Sequence, residues 1–117
     1  MNPYLDIQKN PHIQVKVDGK ESFVIDCFID TGFTGGIILP IKYKNYFQDK
    51  PNFMQRFILA DGSLMPVGLY KIRVGYKNIN KVVSGFFTKS KEALIGIEFL
   101  TGLRFILDLK KFTVSLD

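Results

Sequence analysis

The chain has 117 residues, of which 46% are apolar and 23% charged, so it is long enough to bury one core, and we expect a single domain over residues 1–117. One cysteine, Cys27, excludes an internal disulfide, and one histidine, His12, excludes an ordinary Cys/His zinc cluster, so we expect no metal and no cofactor. A net charge of +5 is compatible with binding to nucleic acid. The lysines and arginines are scattered along the chain, however, which favours a solvated basic surface over a nucleic-acid site.

The lone cysteine also bears on the compartment. Disulfide-free chains are typical of reducing environments, so we expect a cytoplasmic protein. No apolar stretch is long enough to span a membrane and no secretory signal is visible, so no membrane partner is expected. We expect Cys27 to be a small buried hydrophobic residue within "FVIDCFID". We expect His12 to lie at the surface, which argues against serine or cysteine catalysis that depends on a histidine.

In chain order, the first predicted element is a β-hairpin. Apolar residues alternate with polar ones from Ile13 to Val17, the chain turns at Asp18-Gly19, and a denser apolar strand follows. Further strands are predicted at "GGIILP", "FMQRFILA", "LMPVGLYKIRVGY", "KVVSGFF", "EALIGIEFL", "LRFILDL" and "KFTVSL". A helical turn or two is predicted in "IKYKNYFQDK", and a short helix in "IEFLTG" that ends at Gly102. Regularly spaced strands with few helices predict an all-β fold, a closed or folded-over barrel.

One carboxylate interrupts this apolar pattern. In "FIDTGFTGGIILP", residues 28–40, an apolar strand ends at Asp30, and Thr31 and Gly32 follow before a second apolar run. These residue types suit a turn. They equally suit a catalytic carboxylate held at the mouth of a β-sheet core.

Three sequence features follow one another along the chain. Asp30-Thr31-Gly32 comes first, a hairpin centred on "ILADGSLMPVGLY" comes second, and "ALIGIEFL" comes third. This order resembles that of the retropepsin-like aspartic proteases, the single-domain relatives of pepsin, and the resemblance covers residues 13–108. The fold that it implies is a single-domain closed β-barrel of the retropepsin-like acid protease type, with one or two short helices.

The resemblance also implies roles for three sets of residues. Asp30 would carry the catalytic carboxylate, supported in its loop by Thr31 and Gly32. A flap over the substrate would have its tip at or near Ala60, Asp61, Gly62 and Ser63. A hydrophobic-hydrophobic-Gly motif that supports the active-site loop would be Leu94, Ile95 and Gly96.

The mechanism implied by the resemblance needs two carboxylates to activate one water, and the chain has one aspartate in the required motif. Asp18 and Asp61 resemble turn residues, and Asp26 and Asp108 lie in strand-like runs without the motif. A second copy would supply the other carboxylate across a twofold axis. We therefore expect an aspartic endopeptidase that acts as a homodimer on a peptide or protein substrate.

The chain departs from the viral members of the family in two places. It continues through "LKKFTVSLD" beyond the short helix and the strand after it. Gly96 is followed by Ile97-Glu98, where the viral enzymes commonly have an arginine. The resemblance therefore leaves the way in which subunits join open.

Two other functions remain as alternatives. The same fold would serve as a non-catalytic module that binds extended peptides. A basic β-barrel that binds nucleic acid is less favoured. Its stacking platform would combine Tyr43, Tyr46 and Phe47 with Lys42 and Lys44, but such residues more often form partly buried packing.

Overall fold

Strands dominate the part of the chain described by the structure, a computed structural model covering residues 2–48 and 50–117. Its elements are β1 (Tyr4–Leu5), β2 (Pro11–Asp18), β3 (Ser22–Ile29), β4 (Ile37–Pro40), a 3₁₀ helix (Ile41–Tyr46), β5 (Phe53–Ile58), β6 (Leu64–Tyr76), β7 (Ile79–Thr88), β8 (Ala93–Ile95), α1 (Ile97–Leu100), β9 (Phe105–Asp108) and β10 (Thr113–Leu116). The prediction of an all-β fold with one or two short helices is confirmed in its coarser form, since the fold is mostly β and has two short helices. In these described ranges no helix has the length and apolar character needed to span a membrane.

Six strands close into a ring in the order β2-β3-β8-β4-β7-β6, and β6 pairs back onto β2. The length of β6 makes the closure possible, because its first half pairs with β5 and its second half pairs with both β7 and β2. The β5–β6 hairpin therefore projects from the ring, and β5 forms one edge of the sheet. Separately, β9 and β10 form a two-stranded sheet of their own.

β8 lies between two strands that are consecutive along the chain. It runs parallel to β3 and antiparallel to β4, so that Ile29 and Ile37 both lie opposite Ile95. The connection between β3 and β4 must therefore pass over the end of β8. This crossing places residues 30–36 against the residues that follow β8.

The core lies inside the ring and follows the predicted alternation. Cys27 is fully buried, which confirms its prediction as a small core residue, and burial raises the pKa of its thiol. α1 closes one end of the core with Phe99 and Leu100. The alternating inward residues of β2 and β6 are Ile13, Val15, Val17, Ile72 and Val74. Each such side chain, when fully buried, stabilises the fold by about 1.5–3 kcal/mol.

The prediction of a surface position for His12 is wrong, because the residue is only 6% exposed. Its ring stacks on Tyr4 at a centroid distance of 4.9 Å and lies 4.1 Å from the ring of Phe28. Its two nitrogens lie 2.8 Å from an Asp26 oxygen and 2.7 Å from an Asp6 oxygen. These contacts offset the free-energy cost of burying a polar ring. Asp26 also accepts a hydrogen bond from the Tyr4 hydroxyl, which raises the pKa of Tyr4 to about 12.

Candidate active site

The loop that carries Asp30 is hydrogen-bonded at its start to the last residue of β8 and at its end to the residue that follows β8. The amide of Asp30 donates to the carbonyl oxygen of Ile95 at 2.9 Å, and the amide of Gly96 donates to the carbonyl oxygen of Gly36 at 2.9 Å. The first bond fixes the start of the loop and the second fixes its end. The position of Asp30 therefore depends on the backbone at residues 95 and 96.

α1 holds the middle of the same loop. The amides of Ile97 and Glu98 donate to the carbonyl oxygens of Phe33 and Gly35, at 2.8 and 3.1 Å. The first amides of a helix have no partner within the helix, so they are available for this contact. Loop and helix thus satisfy each other's backbone groups, and the loop is fixed along its length.

Gly96 is needed because the loop passes so close to it. A Cβ at this position would lie 2.3 Å from the carbonyl oxygen of Gly35 and 2.5 Å from the backbone of Phe33. Its neighbours differ in environment, since Ile95 is fully buried and Leu94 is only partly buried. The Leu94-Ile95-Gly96 segment therefore lies directly under the Asp30 loop.

The Asp30 carboxylate is partly exposed and oriented by its own loop. The amide of Gly32 donates to Asp30 Oδ1 at 2.9 Å, and Oδ2 has no hydrogen-bond partner among the described residues. A Cβ on Gly32 would lie 3.2 Å from Oδ1, so glycine keeps this approach open. The carboxylate has one oxygen held and one oxygen available, which is suited to accepting a proton from water.

Two cavities meet at this loop. The larger, about 440 Å³, lies between the loop and the β5–β6 hairpin, and we call it the groove. Its volume is in the range of ordinary ligand sites, roughly 300–1,000 Å³. Its lining residues are Gly32, Phe33, Thr34, Gly35, Gln55, Phe57, Leu69, Ser84, Phe86 and Glu98.

Asp30 and Thr31 line the second cavity, of about 310 Å³, which we call the Asp30 cavity. Its walls come from β3, β8, β9 and the start of β2 with the residue before it. The other lining residues are Asn10, Pro11, Phe28, Ile29, Leu94, Phe105 and Leu107. Gly32 lies in the groove, two residues from Asp30. The carboxylate therefore stands at the boundary between an apolar surface and a ligand-sized groove.

The four flap candidates form the tip of the β5–β6 hairpin and are exposed. The amide of Ser63 donates to Asp61 Oδ1 at 2.8 Å, and the hydrogen bonds from Ser63 hold the pKa of Asp61 below its ordinary value. Gly62 has a φ of 84°, in the left-handed region that favours glycine. Neither Ala60 nor the other three residues of the tip line the groove or the Asp30 cavity.

Several residues of the site were not found from the sequence. Gln55 and Phe57 of β5, not the hairpin tip, form the wall of the groove. Glu98 Oε1 accepts hydrogen bonds from the amide of Ser84, at 3.0 Å, and from the Ser84 hydroxyl. One signal was available, because Glu98 is the second residue after the hydrophobic-hydrophobic-Gly motif. Ser84 carries no such signal, since its position depends on how β7 pairs.

Five other aspartates in the described part of the chain have side-chain hydrogen-bond partners of their own: Asp6, Asp18, Asp26, Asp61 and Asp108. Asp26 is bound to His12 and Tyr4, Asp61 to Ser63, and Asp108 accepts the amides of residues 110 and 111. Asp49 lies outside the described residues. Among the residues described, no cluster of three or more His, Cys, Asp or Glu is placed to hold a metal ion.

Comparison with known proteins gave no assignment for this arrangement. The chain matches no protein-family model, and no curated protein matches it. What remains to indicate a function is the geometry of the Asp30 loop and of the two cavities beside it.

Proposed function

We propose that the protein is a retropepsin-like aspartic endopeptidase that acts as a homodimer. The observation that supports this most directly is the Asp30 loop. Four backbone hydrogen bonds to the segment 95–98 fix its position, and a fifth orients the carboxylate beside the groove. Catalytic groups need such preorganisation, because a carboxylate that is already in position accelerates a reaction more than one that must first become ordered.

The homodimer follows from the need for a second carboxylate. Asp30 faces the Asp30 cavity, where Phe105 and Leu107 of β9 supply apolar surface. Leu107 is 36% exposed. A second copy placed over this cavity by a twofold axis would cover apolar surface and bring two Asp30 carboxylates together.

In this dimer the two carboxylates share one proton, because two adjacent negative charges are unfavourable. The ionised oxygen takes a proton from the attacking water. The protonated oxygen donates to the peptide carbonyl, where negative charge develops. The Gly32 amide holds Asp30 Oδ1 in place. Thr31 is exposed, and the family resemblance implies that its hydroxyl contacts the partner loop.

The β5–β6 hairpin supplies the binding surface for an extended peptide. Among the described residues β5 pairs with β6 alone, so its other edge offers unpaired backbone groups beside the groove. A peptide that adds to this edge gains backbone hydrogen bonds and lies alongside the Asp30 loop. The hairpin then has the position of a flap.

The same groove and edge strand also suit a non-catalytic peptide-binding module. Peptide binding by an edge strand needs no carboxylate at residue 30, whereas hydrolysis does. Activity and binding therefore have to be measured on the same variants.

The decisive experiment compares the wild-type protein with Asp30→Asn in digestion of a peptide library across acidic and neutral pH. Asparagine keeps the Oδ1 acceptor for Gly32 but cannot take a proton from water, so the variant should fold and lose cleavage. Asp108→Asn is the matched control, because it lies at the β9–β10 turn outside the groove and the Asp30 cavity. Equal cleavage by folded Asp30→Asn contradicts the proposal. Peptide binding without cleavage by the wild type favours the binding module.

A further inference from the structure

The groove combines aromatic rings with one negative charge. Phe33 and Phe57 both contact the ring of Phe86, at centroid distances of 5.9 and 5.8 Å, and all three rings line the groove. Glu98 is the one charged side chain among the described lining residues, and no lysine or arginine lines the groove. The groove is therefore locally acidic in a chain whose net charge is +5.

Ser84 holds one oxygen of the Glu98 carboxylate and leaves the other without a hydrogen bond from Ser84. Both of its hydrogen bonds go to Glu98 Oε1, and Oε2 has no hydrogen-bond partner among the described residues. A contact that only tied α1 to β7 would need no more than Oε1. The second oxygen is left for a ligand, and an apolar ligand group placed against it would remove its water without replacing the lost hydrogen bonds.

Lysine and arginine side chains match this combination. Their aliphatic stems pack against phenylalanine rings, while their charged heads pair with a carboxylate. A cation within about 6 Å of a phenylalanine ring is also attracted by the ring itself. A purely aliphatic or aromatic ligand side chain would use the rings but not the carboxylate.

We propose that the groove binds a lysine or arginine side chain of an extended peptide, with Glu98 as the residue that determines this specificity. The inference rests on the proposed function for the position of the peptide, since it names the substrate class of the same site. It makes the protein selective for peptides with a basic residue close to the cleaved bond. Elsewhere on its surface the positive net charge repels such peptides, so the selectivity depends on Glu98.

The test separates binding from cleavage by using Asp30→Asn as the parent protein. Decapeptide libraries are prepared with one position fixed as arginine, citrulline, lysine or norleucine and the other positions randomised. Retention on immobilised Asp30→Asn is then compared with retention on Asp30→Asn carrying Glu98→Gln. Glutamine keeps the Oε1 acceptor for Ser84, so the loss concerns charge alone. The matched control carries Glu92→Gln, an exposed acid outside the groove.

We expect arginine over citrulline, and lysine over norleucine, to be favoured by about tenfold on the parent and the Glu92→Gln control. The Glu98→Gln protein should lose this preference, and Glu98→Lys should reverse it. An equal preference with and without Glu98, or no binding of any library, overturns the inference. If Glu98→Gln does not fold, the parent's preference for basic side chains is measured at several salt concentrations. A charge pair at this exposed site is screened by salt, so a preference that salt does not change overturns the inference.

Cleavage by the wild-type protein distinguishes this inference from the proposed function. Cleavage sites without a nearby basic residue overturn the specificity and leave the peptidase intact. Charge-selective binding without any cleavage leaves the groove assignment intact and contradicts the peptidase.

Discussion

The amide of Asp30 donates a hydrogen bond to the carbonyl oxygen of Ile95 at 2.9 Å, which joins the end of β3 to the end of β8. These two strands are far apart in the sequence but parallel neighbours in the sheet. The residue after Ile95 is Gly96, and a Cβ added there would collide with the backbone of Phe33 and Gly35 in the Asp30 loop. Any substituent at residue 96 therefore acts on the position of Asp30.

Gly96→Ala is the substitution that tests this coupling. Its Cβ would lie 2.3 Å from the Gly35 carbonyl oxygen, which is backbone and cannot move alone, so the loop must shift. We expect the free energy of unfolding to fall by about 1–3 kcal/mol and peptide cleavage or binding to be lost, as measured by urea unfolding and library digestion. Gly75→Ala is the control, because its Cβ would meet mainly the end of the Asn80 side chain, which can rotate away. Unchanged stability of Gly96→Ala would show that the loop is not held as described.

The dimer is tested at Leu107, which lines the Asp30 cavity beside Asp30 itself. Leu107→Lys places a charge where the proposed partner would pack, so we expect the dimer dissociation constant to rise by about tenfold or more. Sedimentation across a wide concentration range measures it. Val24→Lys is the control, since Val24 is an exposed apolar residue on β3 outside this cavity. A wild-type protein that stays monomeric and still cleaves peptides would rule out the shared dyad.

Local sequence pattern predicted most of the fold, because alternation and turn residues act over short distances. The β2–β3 hairpin, the two short helices and the burial of Cys27 all follow from residues within a few positions of one another. The position of His12 was mispredicted because the residues that contact its ring are not its immediate neighbours in the sequence. Its partners Asp6 and Asp26 lie on other segments, and their carboxylates make a buried imidazole acceptable.

The candidate site was predictable only in part, for the same reason. The segments at Asp30 and at Gly96 each carry a recognisable motif, and the structure brings them into hydrogen-bond contact. The groove wall does not follow from motif position, since it depends on how far the β5–β6 hairpin projects from the ring. Gln55 and Phe57 therefore line the groove, while Asp61 lies at the exposed tip.

The β5–β6 hairpin has few contacts to stabilise it beyond its own pairing. In the part of the chain that the structure describes, β5 pairs with β6 alone, and the tip residues are exposed. We expect hydrogen exchange over residues 57–70 to be fastest near the tip and faster there than in β3, and to slow when a peptide inhibitor binds. Exchange measured by mass spectrometry, with and without the inhibitor, tests this. Equal protection of the hairpin and β3 with no response to ligand would remove the flap from the proposed mechanism.

Asp6 links the stability of the N-terminal segment to pH. Contact with His12, and then the amide of Asn10, lower the pKa of Asp6 from its ordinary 3.8. Since the folded pKa is below the unfolded one, the ionised carboxylate contributes stability that is fully present above pH 3.8 and is lost as the pH falls through the folded value. Acid should therefore weaken the attachment of this segment to β2.

Asp6→Asn separates this effect from the chemistry of Asp30. At neutral pH the variant should be less stable than the wild type, because it lacks the charge that His12 contacts. As the pH falls through the acid range, its stability should decline less steeply, since the titrating group is gone. Urea unfolding at a series of pH values measures both slopes, with Asp117→Asn as an exposed control. If the two slopes are equal, Asp6 does not carry the linkage. If the slopes differ, the pH dependence of any cleavage separates two causes. Loss of cleavage at the same acid pH in both proteins is the result expected for the proposed carboxylate pair, whereas loss at a pH that shifts with Asp6→Asn reports unfolding.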